Sequence, residues 1–219
     1  IHPDYAKAHY NLGGVYSELG RYVEAIEAYK QAIRIKPDDA LPHLYLGIAY
    51  GELDRWTDAI EAFKEAIRIK PDDALTHKSL GMAYGKLDRW TDAIEAFKRA
   101  IRIKPDDALT HAYLGMAYGE LDRWTDAIES FKQAIRINPD YAHAHYNLGV
   151  SYANLGRRTE AIEAYKQAIR IEPDYAPAHY NLGISYLIIG DKGSALDEYK
   201  ILKDLDETLA NKLFNLIYK

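Results

Sequence analysis

The chain has no cysteine. That excludes a disulfide framework, a thiolate metal site and a cysteine nucleophile, and it is compatible with any compartment. It has no apolar run long enough to span a bilayer. It has no excess of positive charge either. Its 28 Lys and Arg stand against 33 Asp and Glu, a net charge of −5, with the signs interspersed. A basic stripe of the kind that tracks a phosphate backbone is missing, so nucleic acid is not an expected partner. Also missing are a Gly-rich phosphate loop, a Ser elbow and an H-E-x-x-H zinc motif. The expectation is therefore no enzyme, no cofactor and no metal. There is no initiator Met. The opening Ile1-His2-Pro3-Asp4-Tyr5 matches the end of a preceding repeat, which reads as a piece of a longer, cytoplasmic protein.

What the chain does have is a period. The stretch Pro37 to Lys70 returns almost unchanged from Pro71 and from Pro105, and looser copies run from Pro3, Pro139 and Pro173. A fixed spacing of 34 residues is the signature of a solenoid, a stack of one supersecondary unit.

Each unit reads as helix, turn, helix. Asp72-Asp73 after Pro71 suits a helix N-cap, where a carboxylate accepts from orphan N–H groups. The run from Ala74 to Leu87 carries Leu80, Ala83, Tyr84 and Leu87 at helical spacing. Asp88-Arg89 breaks it, and in repeats one, five and six Gly20, Gly156 and Gly190 do so. The second helix sets Trp90, Ala93, Ile94, Phe97, Ala100 and Ile101 on one face. Acidic residues near its start and basic ones near its end suit the helix dipole, and Pro105 ends it.

We count slots from the Ala that follows each P-D-x. Slots 7 and 8 are Leu-Gly in all six copies, from Leu12-Gly13 to Leu182-Gly183. Slot 11 is always Tyr, slot 20 always Ala, and slot 24 Tyr or Phe. This pattern resembles the tetratricopeptide repeat over nearly the whole chain. The resemblance implies an all-α, right-handed superhelical solenoid of antiparallel helix pairs. The repeats are read as 6–39, 40–73, 74–107, 108–141, 142–175 and 176–206, with a capping helix over 207–219. Leu209, Leu213, Leu216 and Ile217 form the apolar face of that last helix. Glycine inside a helix costs roughly 1 kcal/mol against Ala, so its recurrence at slot 8 signals a close approach. The expected neighbour is Ala at slot 20, with the aromatics at slots 11 and 24 filling the seam to the next copy.

Between the near-identical repeats two and three, the slots that differ are 3, 5, 6, 9, 13 and 26. Slots 5, 6, 9 and 13 share one face of the first helix. Drift would also have altered the exposed slots of the second helix, which match almost everywhere. The resemblance implies that this face, with slots 2 and 12, lines the concave surface that holds ligands. The candidate peptide-binding residues are Tyr10, Asn11, Leu44, Tyr45, Ile48, Lys78, Met82, Lys86, Tyr113, Met116, Tyr146, Asn147, Val150, Tyr180, Asn181 and Ile184. Tyr45, Met82 and Met116 are read as facing the groove rather than the helix seams. Leu187 and Ile188 are read as lying under the capping helix.

Two ligand modes that the resemblance implies can be checked by residue. A clamp for a C-terminal carboxylate needs Lys at slot 5, Asn at slot 9 and Asn at slot 6 of the next repeat. Here Lys78 is followed by Met82 and Tyr113, so the clamp is absent. A ladder of Asn amides at slot 6 grips peptide backbone irrespective of sequence. Asn11, Asn147 and Asn181 match it, while Tyr45, Ser79 and Tyr113 interrupt.

Slot 4 departs from the family pattern. It is His in all six copies, where a bulky apolar residue is usual. First helices roughly 10 Å apart cannot bring two such rings to a zinc ion that needs nitrogens at about 2.0–2.1 Å. Packing is the expected role. The chain is thus read as a scaffold for a peptide or protein partner. The alternatives are the substrate-recruiting arm of a larger enzyme such as a glycosyltransferase, or a self-assembling scaffold joined weakly through its uncapped N-terminal face.

Overall fold

The computed structural model describes residues 3–219, so Ile1 and His2, part of the segment assigned to a preceding repeat, lie outside it. Every regular element among the described residues is a helix. The described residues up to 106, and residues 107–219, form two compact units. The first holds α1 (Pro3–Glu18), α2 (Tyr22–Ile35), α3 (Ala40–Gly51), α4 (Trp56–Ile69), α5 (Ala74–Gly85) and α6 (Trp90–Ile103). The second holds α7 (Ala108–Gly119), α8 (Trp124–Ile137), α9 (Ala142–Asn154), α10 (Arg158–Ile171), α11 (Ala176–Ile188), α12 (Lys192–Leu205) and α13 (Glu207–Ile217). Helix α1 takes in Pro3, Asp4 and Tyr5, which sequence assigned to the tail of a preceding repeat. Proline is tolerated there because its missing N–H is an orphan in the first turn of any helix.

Among the described residues, the helices of each unit pack only on near neighbours in sequence. First helices touch one another, as α1 with α3, α3 with α5, α7 with α9 and α9 with α11. Among the described residues, consecutive second helices within a unit do not. The first helices therefore form the inner, tighter layer of each unit and the second helices the outer one.

The turn inside each repeat needs one residue in the left-handed backbone region. Gly20, Gly156 and Gly190 supply it with φ of 69°, 72° and 83°. Asp54, Asp88 and Asp122 occupy the same place in repeats two to four with φ of 56°, 55° and 55°, a conformation that Asp enters more readily than most residues. In repeats one to five the next residue is Arg, and its guanidinium lies over the slot 11 ring, as Arg55 over Tyr50, Arg89 over Tyr84 and Arg123 over Tyr118, each at 4.5 Å; in repeat six it is Asp191. The same Arg bonds the acid three residues on, as Arg89 Nε does Asp92 at 2.7 Å. The first helices of repeats two to four are capped by Asp39, Asp73 and Asp107. Those of repeats five and six have Tyr141 and Tyr175 at the N-cap position, without a side-chain cap hydrogen bond.

The close approach at slot 8 exists, but its partner is the slot 24 aromatic of the same repeat rather than the slot 20 alanine. A methyl placed on Gly13 would fall 2.5 Å from the Tyr29 ring, on Gly47 2.5 Å from Phe63, on Gly81 2.6 Å from Phe97, and on Gly149 2.6 Å from Tyr165. The slot 20 alanines are fully buried beside this contact. Each buried Phe contributes about 1.5–3 kcal/mol through the area it removes from water.

Repeat six closes differently. Leu213 of α13 lies over Gly183, while Tyr199 packs on Phe214 with ring centroids 5.4 Å apart. The buried line of α13 is Ala210, Leu213 and Ile217, with Leu209 partly covered. Leu216, expected on that face, is exposed, because burial follows the i, i+3, i+7 line set by Ala210. Leu187 packs against this cluster, but Ile188 at the end of α11 is more than half exposed. On α1 the framework slots that are buried in later repeats, Leu12 and Val15, are open.

The neighbours Gly13 and Gly14 give a test with opposite signs. Gly13 abuts the Tyr29 ring, whereas nothing lies within 4 Å of a methyl on Gly14. Gly13→Ala is expected to destabilise by about 1–3 kcal/mol through overpacking. Gly14→Ala is expected to stabilise by roughly 0.5–1 kcal/mol through helix propensity. Urea titration by circular dichroism measures both; equal shifts of the same sign contradict the packing described.

Candidate partner-binding face

On the first helices, slots 2, 6, 9 and 13 form a line that stays accessible. In the first unit it comprises Leu41, Tyr45, Ile48 and Glu52 on α3, then Leu75, Ser79, Met82 and Lys86 on α5. In the second unit it comprises Leu109, Tyr113, Met116 and Glu120 on α7, then His143, Asn147, Val150 and Asn154 on α9. Leu41, Leu75, Leu109, Met82 and Met116 are each 38–47% exposed, although large and apolar. The chain has only two methionines, and both sit at slot 9 on this line.

Three tryptophans, of which Trp90 was read from sequence as part of the apolar face of its second helix, also reach this side and are only half-buried. Each leans on the slot 12 glycine of its own repeat. A methyl on Gly51, Gly85 or Gly119 would come within 2.8, 2.9 or 3.2 Å of Trp56, Trp90 or Trp124. Where slot 12 is Ser17, Ala153 or Leu187, the tryptophan is replaced by Tyr22, Arg158 or Lys192. That pairing of glycine with tryptophan five residues later is the signal that sequence reasoning passed over. In the second unit a cleft of about 370 Å³ opens beside Trp124, lined also by Met116, Glu120, Asp122, Asn147 and Val150.

The tetratricopeptide repeat family model matches residues 44–108, 114–176 and 152–210, and a second repeat model of that family matches residues 14–54. The chain belongs to the tetratricopeptide repeat family. No curated protein sequence matches it. Among solved structures it is similar to a crystal structure of MamA, with 30% identity, a TM-score of 0.72, and 76% of this chain and 97% of that one covered. PilF of Pseudomonas aeruginosa superposes with a TM-score of 0.80 at 18% identity over 97% of each chain. YrrB, described as a TPR protein with an unusual peptide-binding site, does so with a TM-score of 0.73 at 22% identity, over 87% of this chain and 99% of that one. Tetratricopeptide arrays are interaction scaffolds that work through extended concave surfaces. Among the described residues no helix is long and apolar enough to cross a membrane.

The tetratricopeptide frame sorts the residues expected in a groove. Ile48, Met82, Lys86, Met116, Asn147 and Val150 lie on the accessible line, with Asn11 exposed and Tyr113 half-buried. Leu44 does not belong with them. It is 3% exposed, because slot 5 points into the seam with the neighbouring first helix. Tyr45 stands on the line but is only half open, one side of its ring packed 5.6 Å from Tyr10 and 6.2 Å from Tyr29 between centroids. Burial, with Tyr45 beside it, pushes the Tyr10 hydroxyl up to about 12. Tyr146 packs between Tyr165 and Tyr175. Tyr180 and Ile184 pack against the α12–α13 cluster, and Lys78 is half-buried at slot 5. The Asn181 amide donates to the Tyr146 hydroxyl at 3.0 Å, a bond between adjacent repeats.

The slot 4 histidines have a role that their spacing did not disclose. His43, His77, His145 and His179 each turn Nε2 to the carbonyl of the proline six residues before, at 3.3, 2.8, 2.9 and 2.8 Å. The ring N–H thereby ties the inter-repeat turn to the helix that follows it. Among the described residues no group of three His, Cys, Asp or Glu is placed to hold a metal.

His179 differs from the others. Its Nδ1 lies 2.6 Å from Glu198 Oε2, so both ring nitrogens face acceptors and the imidazolium is favoured. Glu198 stands at slot 23, which is Ala or Ser in the other repeats. Burial alone would depress the His179 pKa. The Glu198 and Pro173 hydrogen bonds, with the nearby Asp174 charge, outweigh that and hold it above its ordinary 6.5. A raised folded-state value means that the contribution is complete below the unfolded value of about 6.5 and fades as pH rises through the folded one. Glu198→Ala should therefore destabilise the protein more in mildly acidic than in alkaline solution. Melts of both proteins across that range check it, and a pH-independent gap would contradict it.

Proposed function

We propose that the chain displays a peptide or protein segment of a partner along the accessible line of its first helices. The observation that supports this most is the position of the internal variation. Repeats two to four are near-duplicates, yet they differ at slots 6, 9 and 13, where a partner would touch them. The same line leaves large apolar side chains open, which a stable monomer normally covers. Met and Leu there suit adaptable contact, at about 25 cal/mol per Å² of apolar area before ordering costs. The amides of Asn11 and Asn147 offer pairing to peptide backbone. A free C-terminal carboxylate is not required, because the clamp residues are missing.

Leu75, Met82 and Met116 are exposed and lie outside the helix seams, so changing all three to Ser leaves the fold intact. That variant should lose the peptides that the parent retains from a random peptide library, by at least about tenfold in affinity. Changing the outward Glu61 and Glu129 to Gln should alter retention little. Loss of peptides by the outward variant with retention by the inner one would overturn the assignment.

A further inference from the structure

The cleft between α7 and α9 has a chemical character of its own. Its floor is the Trp124 ring, held against the end of α7 by the absence of a side chain on Gly119. Its rim carries two carboxylates, Glu120 and Asp122, and no basic side chain lines it. Helix α7 ends at Gly119, so the negative pole of its dipole points the same way. The nearby cations are committed elsewhere. Arg123 lies 4.5 Å over Tyr118 and pairs with Asp126 at 2.9 Å, and Lys132 lies 5.9 Å over Tyr152.

The first unit shows what an equivalent ring accepts. There Lys86, at slot 13 of repeat three, places its ammonium 5.7 Å from the centre of the Trp56 ring of repeat two. The residue that corresponds to Lys86 beside Trp124 is Asn154. Its amide is turned back onto its own helix, donating to the Val150 carbonyl at 2.9 Å. Of the three tryptophans, Trp56 is thus met by the chain's own lysine, whereas the Trp124 cleft is lined by acids and by no basic side chain.

From this we infer that the α7–α9 cleft is a pocket for a lysine or arginine side chain, which anchors a basic residue of the partner segment. The aliphatic stem lies along Met116 and Val150. The cationic head meets the Trp124 face and the Glu120 and Asp122 carboxylates. This inference rests on the inner-face reading and specifies the partner chemistry in the second unit.

The test uses the intact chain labelled with 15N and the indole N–H resonances of its three tryptophans. The probes are Nα-acetyl-lysine methylamide and Nα-acetyl-norleucine methylamide, which keeps the aliphatic stem and lacks the ammonium, at millimolar concentration. The lysine probe should move the Trp124 resonance saturably, and the norleucine probe should not. Trp56 should stay still, because Lys86 occupies it. Glu120→Gln with Asp122→Asn should weaken the response about tenfold, and Asn tolerates the left-handed backbone of Asp122. Asn154→Lys should abolish it by supplying an internal competitor. Equal shifts with both probes, no Trp124 shift, or an unchanged titration in Asn154→Lys would overturn the pocket. Library peptides that need Leu75, Met82 and Met116 but show no enrichment of Lys or Arg would also overturn it while leaving the inner-face reading standing. Lysine binding at Trp124, with peptides indifferent to the inner variant, would instead overturn the inner-face reading and leave the pocket standing.

Discussion

The contact on which the other features depend is an aromatic ring lying on bare backbone. At slot 8 the first helix presents glycine, and the slot 24 ring of the second helix rests where a methyl group would be. This fixes the depth and rotation of one helix against the other. Once the pair is set, the slot 11 tyrosine is left at the repeat edge, and the turn arginine covers its face. The left-handed turn residue then follows from geometry, since the chain must reverse within a few residues for the ring to reach its glycine. Gly20 and Asp88 are two solutions to one constraint, of which glycine is the less strained.

Because contacts reach no further than the next helix pair within each unit, the framework is satisfied repeat by repeat. The first helices, which touch one another, form the inner layer, and their accessible line takes no part in the ring-on-glycine contact. Substitution on that line therefore carries little cost to folding. Repeats two to four keep the same second helix almost letter for letter while slot 9 is Ile48, Met82 and Met116 and slot 13 is Glu52, Lys86 and Glu120. The Trp–Gly pairs sit where these two regimes meet. The glycine at slot 12 serves packing, yet it turns the tryptophan edge toward the inner side.

The period, the helix pairs and the turns were legible in the sequence, because spacing, Gly or Asp punctuation and proline placement all act locally. The meaning of Gly81 was half legible. Its recurrence announced a close approach, but which side chain approached depended on the rotation of the pair, and Phe97 rather than an alanine fills the place. Leu44 misled for a similar reason. Slot 5 shares a helical face with slots 9 and 13, but the neighbouring first helix covers one edge of that face. The histidines were legible as structural but not as hydrogen-bonded, since their partner is a backbone carbonyl, which no residue letter records. The cleft beside Trp124 was hidden because it depends on what Asn154 fails to cover.

The end of the array shows what happens when the ring-on-glycine contact is given up. In repeat six Tyr199 leaves Gly183 and packs on Phe214, and Leu213 of α13 enters the vacated place. Leucine is a smaller and less rigid filler than a phenol ring, and it arrives from a third helix, so it does not by itself register α12 on α11. The registering element is the His179–Glu198 pair, which joins α11 to α12 at 2.6 Å where the other repeats have only Ala or Ser at slot 23. A buried ion pair is a costly fastener unless its remaining polar atoms are satisfied. His179 meets that condition through the Pro173 carbonyl, the same acceptor used by the slot 4 histidine of the other tied turns. The last repeat thus converts a turn clasp that was already present into an interhelical lock. It needs one substitution, alanine to glutamate, to do so.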